Sequence, residues 1–121
     1  MARIMVVDDS PTDVQNLRNI LTKAGYTVLE SASAQDAIAR IKLEKPDCVI
    51  MDVVMPGVNG FQATRTLSKD PATAHIPIVV VSAKNQETDR VWAMRQGARE
   101  YIVKPVKEAD LIGKIKTVLG A

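Results

Sequence analysis

Two acidic motifs stand directly after short apolar runs of the chain. Asp8 and Asp9 follow the apolar run 4–7, and Asp52 follows the apolar run 48–51. If both runs are neighbouring parallel strands, their carboxyl-terminal ends lie at one edge of the sheet, where open α/β folds form ligand crevices. The pattern therefore predicts that three carboxylates converge at this edge.

Convergent carboxylates carry an electrostatic cost. Two like charges about 4 Å apart repel by ~4 kcal/mol at an effective dielectric of ~20. Either one carboxyl group keeps its proton with a raised pKa, or a hard divalent cation lies among them, and Mg²⁺ is the usual ion for such a set. A metal-bound aspartate beside a phosphoryl donor can then act as a nucleophile. The alternative is that Asp8, Asp9 and Asp52 only cap loops and helices.

The composition favours a single small globular domain. With 121 residues, the chain is expected to form one core over residues 1–121. It has neither an apolar stretch of twenty residues nor a basic-then-apolar leader, so we expect a soluble cytoplasmic protein without membrane insertion. The net charge is +2 with scattered Lys and Arg, which gives little support for nucleic-acid binding. Cys48 is the one cysteine and is expected to be a buried, reduced thiol.

The chain alternates between short Val- and Ile-rich runs and amphipathic stretches at helical spacing. Strand and helix alternating five times predict an α/β fold with helices on both faces of a parallel sheet. The expected architecture is a doubly wound, flavodoxin-like five-stranded sheet of order 2-1-3-4-5, with five helices. This order places the first and third strands side by side. The candidate strands are residues 4–7, 27–29, 48–51, 78–81 and 101–103.

Turn and cap signals flank the acidic motifs. Ser10 is an N-cap candidate, Pro11 suits the first helical position, and Asp13 is an acid where the helix dipole favours one. Residues 55–57, Met-Pro-Gly, predict a tight turn beside Asp52 in which the glycine takes a positive φ. We expect this turn to shape the loop without contributing chemistry.

Four motifs, in their order along the chain, resemble the receiver domains of two-component response regulators. They are VVDDSP, VIMDVVMPGVNG, VVVSA and YIVKP, and the resemblance covers essentially the full length. Within that family, NGFQATR and the segment QETDRVW ahead of RQGAREYIVKPV are similar to the single-domain regulators of type IV pilus twitching motility. The resemblance implies a chemotaxis-regulator-like receiver domain.

The resemblance implies a phosphoacceptor within a magnesium site. Asp52 would accept the phosphoryl group and also contact Mg²⁺, Asp9 would be a direct ligand, and Asp8 would hold the ion directly or through water. The backbone carbonyl of Val54 would complete the ligands from the protein. Few groups are needed, because phosphoryl transfer depends mainly on positioning and charge neutralisation.

Residues at the ends of the later strands complete the implied machinery. Ser82 would donate a hydrogen bond to a phosphoryl oxygen, and Lys104 would pair with Asp52 before phosphorylation and offset the phosphoryl charge afterwards. A cis bond between Lys104 and Pro105 would aim the lysine inward. Tyr101 would turn inward as Ser82 moves, which would alter the face of the fourth helix, fifth strand and fifth helix. Considered singly, Ser82, Lys104 and Tyr101 also fit a turn residue, a solvated charge and ordinary packing.

The implied function is that of a stand-alone response regulator. A sensor histidine kinase would transfer a phosphoryl group from its phosphohistidine to Asp52, and the altered face would control an output partner. We expect a monomer that is not an enzyme, although it would catalyse its own phosphotransfer and slow self-dephosphorylation. Slow decay is expected because Val54 offers no hydrogen bond to orient an attacking water, while Lys84 can screen the phosphoryl group.

Two other functions fit parts of the pattern. A haloacid-dehalogenase-like phosphatase also uses a strand-end aspartate and Mg²⁺, but it needs a second aspartate two residues later, where Val54 stands. A flavodoxin-like nucleotide or flavin carrier holds phosphate with a loop rich in Gly, Ser or Thr, whereas this loop begins with Asp8 and Asp9. Trp92 fits either partner binding or packing. His75 is expected to be a loop residue without a catalytic role.

Overall fold

The structure is a computed structural model that describes residues 2–55, 57 and 59–120. Over these residues, strands and helices alternate along the whole chain, as the periodicity predicts. Among the helices described, none combines the length and the apolarity needed to cross a membrane. The elements are β1 (Arg3–Val7), α1 (Pro11–Lys23), β2 (Thr27–Ser31), α2 (Ala34–Glu44), β3 (Cys48–Met51), α3 (Gly60–Lys69), β4 (Ile78–Ser82), α4 (Glu87–Arg95), β5 (Glu100–Val103) and α5 (Glu108–Leu119).

The five strands form one parallel sheet in the order β2-β1-β3-β4-β5. The predicted doubly wound α/β fold and its strand order are therefore confirmed. In the pairing of β1 with β3, Val7 lies opposite Met51. The N–H of Asp52 continues this pairing by donating a 3.0 Å hydrogen bond to the carbonyl of Val7. The register thus brings the residues that follow both strands to the same sheet edge.

The core lies on both faces of the sheet. The strands β1, β3 and β4 are buried almost throughout, which is typical of parallel strands covered by helices on two sides. On one face, Leu17 and Leu21 of α1 and Ile115 of α5 pack against the sheet. On the other face, Ile41 of α2 and Leu67 of α3 do so. Each such side chain stabilises the fold by roughly 1.5–3 kcal/mol, so the strand ends have a rigid support.

Helix α4 is less buried than its sequence suggests. Its large apolar side chains are exposed, and Trp92 is 50% exposed; the other two are Val91 and Met94. The buried residue of the helix is Ala93, which packs with Tyr101 of β5. A small residue at the contact lets a short helix lie close to the sheet, so the larger apolar side chains point away from it. The half-exposed Trp92 is therefore not part of the packed core.

Local geometry supports the loops beside the sheet edge. The Ser10 side chain caps α1 by accepting a hydrogen bond from the N–H of Asp13, and the Asn59 side chain caps α3 in the same way. Gly57 has φ +77°, as the predicted turn requires, whereas Pro56 of that turn lies outside the described residues.

His75 is exposed in the loop before β4, as predicted. The predicted cis bond joins Lys104 to Pro105.

Candidate functional site

The structure brings the three aspartates of the two acidic motifs together. Asp8, Asp9 and Asp52 each offer one carboxylate oxygen, and these oxygens lie within 4.8 Å of one another. Asp8 and Asp52 are buried, whereas Asp9 is exposed. Carboxylate oxygens in such a group are the ligands that hard divalent cations prefer. The chemistry and spacing of the donors therefore fit Mg²⁺.

Lys104 lies at the centre of this group of acids. Its ammonium donates hydrogen bonds to Asp8 Oδ2 at 2.9 Å, to Asp52 Oδ2 at 3.2 Å and to Asp13 Oδ2 at 2.8 Å. Burial opposes the charged form, but the hydrogen bonds to Asp13 and Asp8 and the charge of Asp52 outweigh it, so the pKa of Lys104 is raised. The lysine is therefore held as an ammonium beside Asp52.

The surroundings of Asp8 disfavour the charged form of its carboxyl group. Burial raises its pKa above the ordinary value, and the charge of Asp52 acts in the same direction. A hydrogen bond from the N–H of Ser10 at 2.9 Å and the contact with Lys104 act against this rise. Since one ammonium faces several carboxylates here, a further positive charge at this edge would relieve the remaining repulsion.

Backbone contacts hold Asp52 and its loop in place. Its Oδ1 accepts a 3.0 Å hydrogen bond from the N–H of Val54, whose side chain is 53% exposed. The start of α3 lies directly against this loop, because a Cβ on Gly60 would be 2.6 Å from the Cα of Val53 and in contact with the Asp52 carbonyl. Only glycine allows this approach. The proximity of Gly60 to the site is not evident from the sequence, where it is part of an ordinary turn motif.

Ser82 and Tyr101 lie at the neighbouring strand ends. Ser82 ends β4, which pairs with β3, and its side chain is fully buried. Its Oγ accepts a 3.2 Å hydrogen bond from the N–H of Lys84, and the Tyr101 hydroxyl donates a 2.8 Å hydrogen bond to the carbonyl of the same residue. Tyr101 is 9% exposed, so its ring points inward in this structure.

An open cavity borders the acidic group. It has a volume of about 440 Å³ and lies between the start of α1 and the loop that follows β2. Asp8 and Asp9 line one side of it, and Glu30 and Ser31 line another. Of the three aspartates, Asp9 is thus open to solvent on this side, which is where a small ion could enter the group.

For one of the acids that contact Lys104, the sequence predicts a different role. Asp13 fits the acidic first turn of a helix, and nothing near it in sequence indicates a partner. Its carboxylate instead contacts Lys104, which is 91 positions away. The sequence indicates this contact only indirectly, because the first turn of α1 starts at the same sheet edge as the two acidic motifs.

Comparison with known proteins identifies the family. A family model described as the response regulator receiver domain matches residues 4–116. This chain belongs to that family. It is 54% identical over 120 residues to protein PilH of Pseudomonas aeruginosa, with 99% of both chains covered. It is 35% identical to the response regulator PleD of Caulobacter vibrioides, of which it spans 26%.

A solved structure extends the comparison to the site. The receiver domain of a sensor histidine kinase from Pseudomonas aeruginosa superposes with a TM-score of 0.91 at 26% identity, with 99% of this chain and 98% of that chain covered. That structure has a magnesium ion coordinated in its active-site cleft. Receiver domains are signalling domains rather than enzymes, so the family match gives no support to the haloacid-dehalogenase-like phosphatase or to a flavin carrier.

Proposed function

We propose that this chain is a stand-alone response regulator that accepts a phosphoryl group on Asp52. The observation that carries the proposal is the convergence of Asp8, Asp9, Asp52 and Lys104 at one sheet edge. The donor would be the phosphohistidine of a sensor histidine kinase, in keeping with the receiver family. An Asp52 oxygen would form a bond to phosphorus while the bond between phosphorus and the histidine nitrogen breaks, and the histidine, which carries a proton on its other ring nitrogen, would leave as neutral imidazole.

The side chains around Asp52 have distinct roles in this proposal. Asp8, Asp9, Asp52 and the backbone carbonyl of Val54 would hold Mg²⁺, which when bound neutralises phosphoryl charge. Lys104 is already an ammonium within 3.2 Å of Asp52 Oδ2 and would contact a phosphoryl oxygen after transfer. These groups orient and neutralise rather than exchange protons, which is the main requirement of phosphoryl transfer.

The signal would leave the site through Ser82 and Tyr101. Ser82 would donate its hydroxyl hydrogen to a phosphoryl oxygen, and Tyr101 would respond to that movement because both contact Lys84. The face formed by α4, β5 and α5 would then change. The exposed Trp92 on α4 gives this face an apolar anchor of the kind that partner surfaces use.

The cellular role follows from the similarity to PilH. A relative at 54% identity over nearly the whole of both chains supports a role in type IV pilus twitching motility. Residues 1–121 would act in the cytoplasm as a single monomeric receiver domain that controls another protein without binding nucleic acid. The kinase and the output partner would recognise the surface beside Asp52 and the face of α4, β5 and α5, respectively.

Mass spectrometry after incubation with Mg²⁺ and acetyl phosphate tests the phosphoacceptor directly. We expect the parent protein to gain one phosphoryl group and Asp52→Asn to gain none. Asp47→Asn is the matched control, because Asp47 is an exposed aspartate just before β3, at the opposite end of that strand from Asp52. It should be phosphorylated like the parent. Equal labelling of the parent and Asp52→Asn would exclude Asp52 as the acceptor.

A further inference from the structure

Asp13 is a fourth carboxylate at the proposed phosphorylation site. Its Oδ2 accepts a hydrogen bond from Lys104 at 2.8 Å, the shortest of the three contacts made by that ammonium. The Asp13 side chain is 40% exposed, whereas those of Asp8 and Asp52 are 2% and 9% exposed. Lys104 is therefore held between two buried acids on one side and one solvent-facing acid on the other.

The hydrogen-bonding capacity of Lys104 is fully used in this arrangement. An ammonium has three N–H donors, and Asp8, Asp13 and Asp52 accept one each. Phosphorylation makes available the one Lys104 donor that now faces Asp52, so a phosphoryl group can take a second donor from Lys104 only if Asp8 or Asp13 releases it. Asp13 is the one that can do so at least cost, because its exposed oxygen can bond to water instead.

We propose that Asp13 is a positioning residue that competes with the phosphoryl group for the Lys104 ammonium. The proposal rests on the proposed function of Asp52. In the unphosphorylated protein, Asp13 shares the ammonium that would otherwise bond only to Asp8 and Asp52, which leaves their oxygens more available to a cation. In the phosphorylated protein, the hydrogen bond to Asp13 draws the Lys104 ammonium away from the phosphoryl group.

This role predicts that loss of the Asp13 charge has opposite effects on the binding of Mg²⁺ and of a phosphoryl analogue. The negative charge of Asp13 lies close to the acidic group, since both contact the same ammonium, and at this range it attracts a divalent cation and repels a phosphoryl anion. Removing the charge should therefore weaken Mg²⁺ binding and strengthen binding of a phosphoryl analogue. A general loss of structure at the site would weaken both.

The competing explanation is that Asp13 only stabilises the start of α1. Acids in the first turn of a helix favour it through the helix dipole. Asp110 provides a matched control, because it lies at the equivalent position in the first turn of α5 and pairs with Lys114 of its own helix. Asp110→Asn removes the same charge from the same helical position without touching Lys104.

The experiment compares the parent, Asp13→Asn and Asp110→Asn by titration calorimetry, first with Mg²⁺ and then with beryllium trifluoride at saturating Mg²⁺. For Asp13→Asn we expect Mg²⁺ affinity to fall about three- to tenfold and beryllium trifluoride affinity to rise by a similar factor. Asp110→Asn should match the parent in both titrations. If Asp13→Asn does not fold, Asp13→Ser removes the same charge with a smaller side chain.

Each outcome either supports the proposal or overturns it. Equal affinities in Asp13→Asn and Asp110→Asn, or a parallel fall of both affinities in Asp13→Asn, would overturn the competition between Asp13 and the phosphoryl group while leaving Asp52 as acceptor. Failure of the parent to bind Mg²⁺ and beryllium trifluoride would overturn the proposed function itself, and the role of Asp13 with it. Asp13→Glu keeps the charge and should lie closer to the parent than Asp13→Asn in both titrations.

Discussion

The hydroxyl of Tyr101 donates a 2.8 Å hydrogen bond to the backbone carbonyl of Lys84. The N–H of Lys84 in turn donates to the buried Oγ of Ser82 at 3.2 Å. One residue of the loop after β4 therefore connects the two side chains proposed to transmit the signal. If Ser82 moves towards a phosphoryl group, the hydrogen bond to Lys84 is lost, and the acceptor of the Tyr101 hydroxyl is free to move with the loop.

Tyr101→Phe should reduce stability without changing the packing of the ring. The variant removes one hydrogen bond to a partly buried carbonyl, which costs about 0.5–1.5 kcal/mol in the free energy of unfolding. Urea denaturation followed by circular dichroism measures this difference. The control is Tyr26→Phe, because the Tyr26 hydroxyl makes no hydrogen bond in the portion of the chain that the structure describes. Equal losses in the two variants would show that the contact with Lys84 is not stabilising.

Two glycine-to-alanine substitutions should have opposite effects. A Cβ at Gly60 would meet the backbone of Asp52 and Val53, so Gly60→Ala must displace the loop that carries Asp52, the proposed phosphoacceptor. We expect a loss of about 1–3 kcal/mol in the free energy of unfolding, together with slower phosphorylation of Asp52. Gly113 in α5 has no heavy atom within 4 Å of the added methyl group.

Gly113→Ala is therefore the matched control, and it should stabilise the protein by about 0.5–1 kcal/mol because alanine is the better helix former. Thermal unfolding of both variants, with mass spectrometry of the phosphorylated protein, separates the two effects. A Gly60→Ala variant as stable and as readily phosphorylated as the parent would show that the loop tolerates the displacement.

The sheet could be predicted from the sequence because its signal is local and repeated. Apolar runs too short for helices alternate with helical stripes, and chain connectivity then leaves few possible topologies. Once that order is known, the convergence of Asp8, Asp9 and Asp52 follows from their positions after β1 and β3. This part of the site needed no information about side-chain conformation.

The parts that could not be predicted depend on contacts between distant elements. The Asp13 carboxylate bonds to Lys104 across 91 positions, and a helix-dipole role explains the same residue equally well from sequence alone. Helix α4 presents Val91 and Trp92 to solvent and buries Ala93, although hydrophobicity favours the reverse. In a short helix with mixed polarity, the fit against the sheet decides which face is buried, and that fit is a tertiary property.

Cys48 should be protected from thiol reagents in the native protein. Burial raises the pKa of its thiol from 9.0 to about 12, because the thiolate would be desolvated within β3. A raised pKa in the folded state means that the native fold favours the protonated thiol. The stability that this contributes is present below pH 9 and is lost as the pH rises towards 12, where the unfolded chain ionises first.

Labelling with a thiol reagent at pH 9 checks this expectation. Native protein should react slowly, at a rate limited by unfolding, whereas protein in urea should react at once. Addition of Mg²⁺ should slow labelling further if the cation stabilises the fold. Immediate labelling of the native protein would contradict the burial of Cys48.

Magnesium should stabilise the protein through the three converging aspartates. A ligand that binds only the native state adds about 2.7 kcal/mol at a concentration of 100 times its Kd, so the melting temperature should rise with Mg²⁺. Asp9→Asn should weaken this response because Asp9 is the exposed member of the group that faces the cavity. Without Mg²⁺ the same variant should be at least as stable as the parent, since one repelling charge is gone.

Sodium chloride at matched ionic strength is the control, because general screening acts on all exposed charges alike. A rise in melting temperature that is equal for the two salts would argue against a specific cation site. A rise with Mg²⁺ that is unchanged in Asp9→Asn would assign the ion to other ligands.

The lifetime of the phosphorylated state should depend on Val54. Its exposed side chain lies two residues after Asp52 and cannot form a hydrogen bond to an attacking water, while Lys84, exposed in the loop after Ser82, can screen the phosphoryl group. Val54→Asn supplies such a hydrogen bond, and if this lowers the barrier by about 1 kcal/mol, loss of the phosphoryl group becomes roughly fivefold faster. The decay of the phosphorylated mass, followed after removal of acetyl phosphate, gives the rate. Val91→Asn, an exposed valine of α4, should decay like the parent, and equal lifetimes for the parent and Val54→Asn would rule out control of hydrolysis at this position.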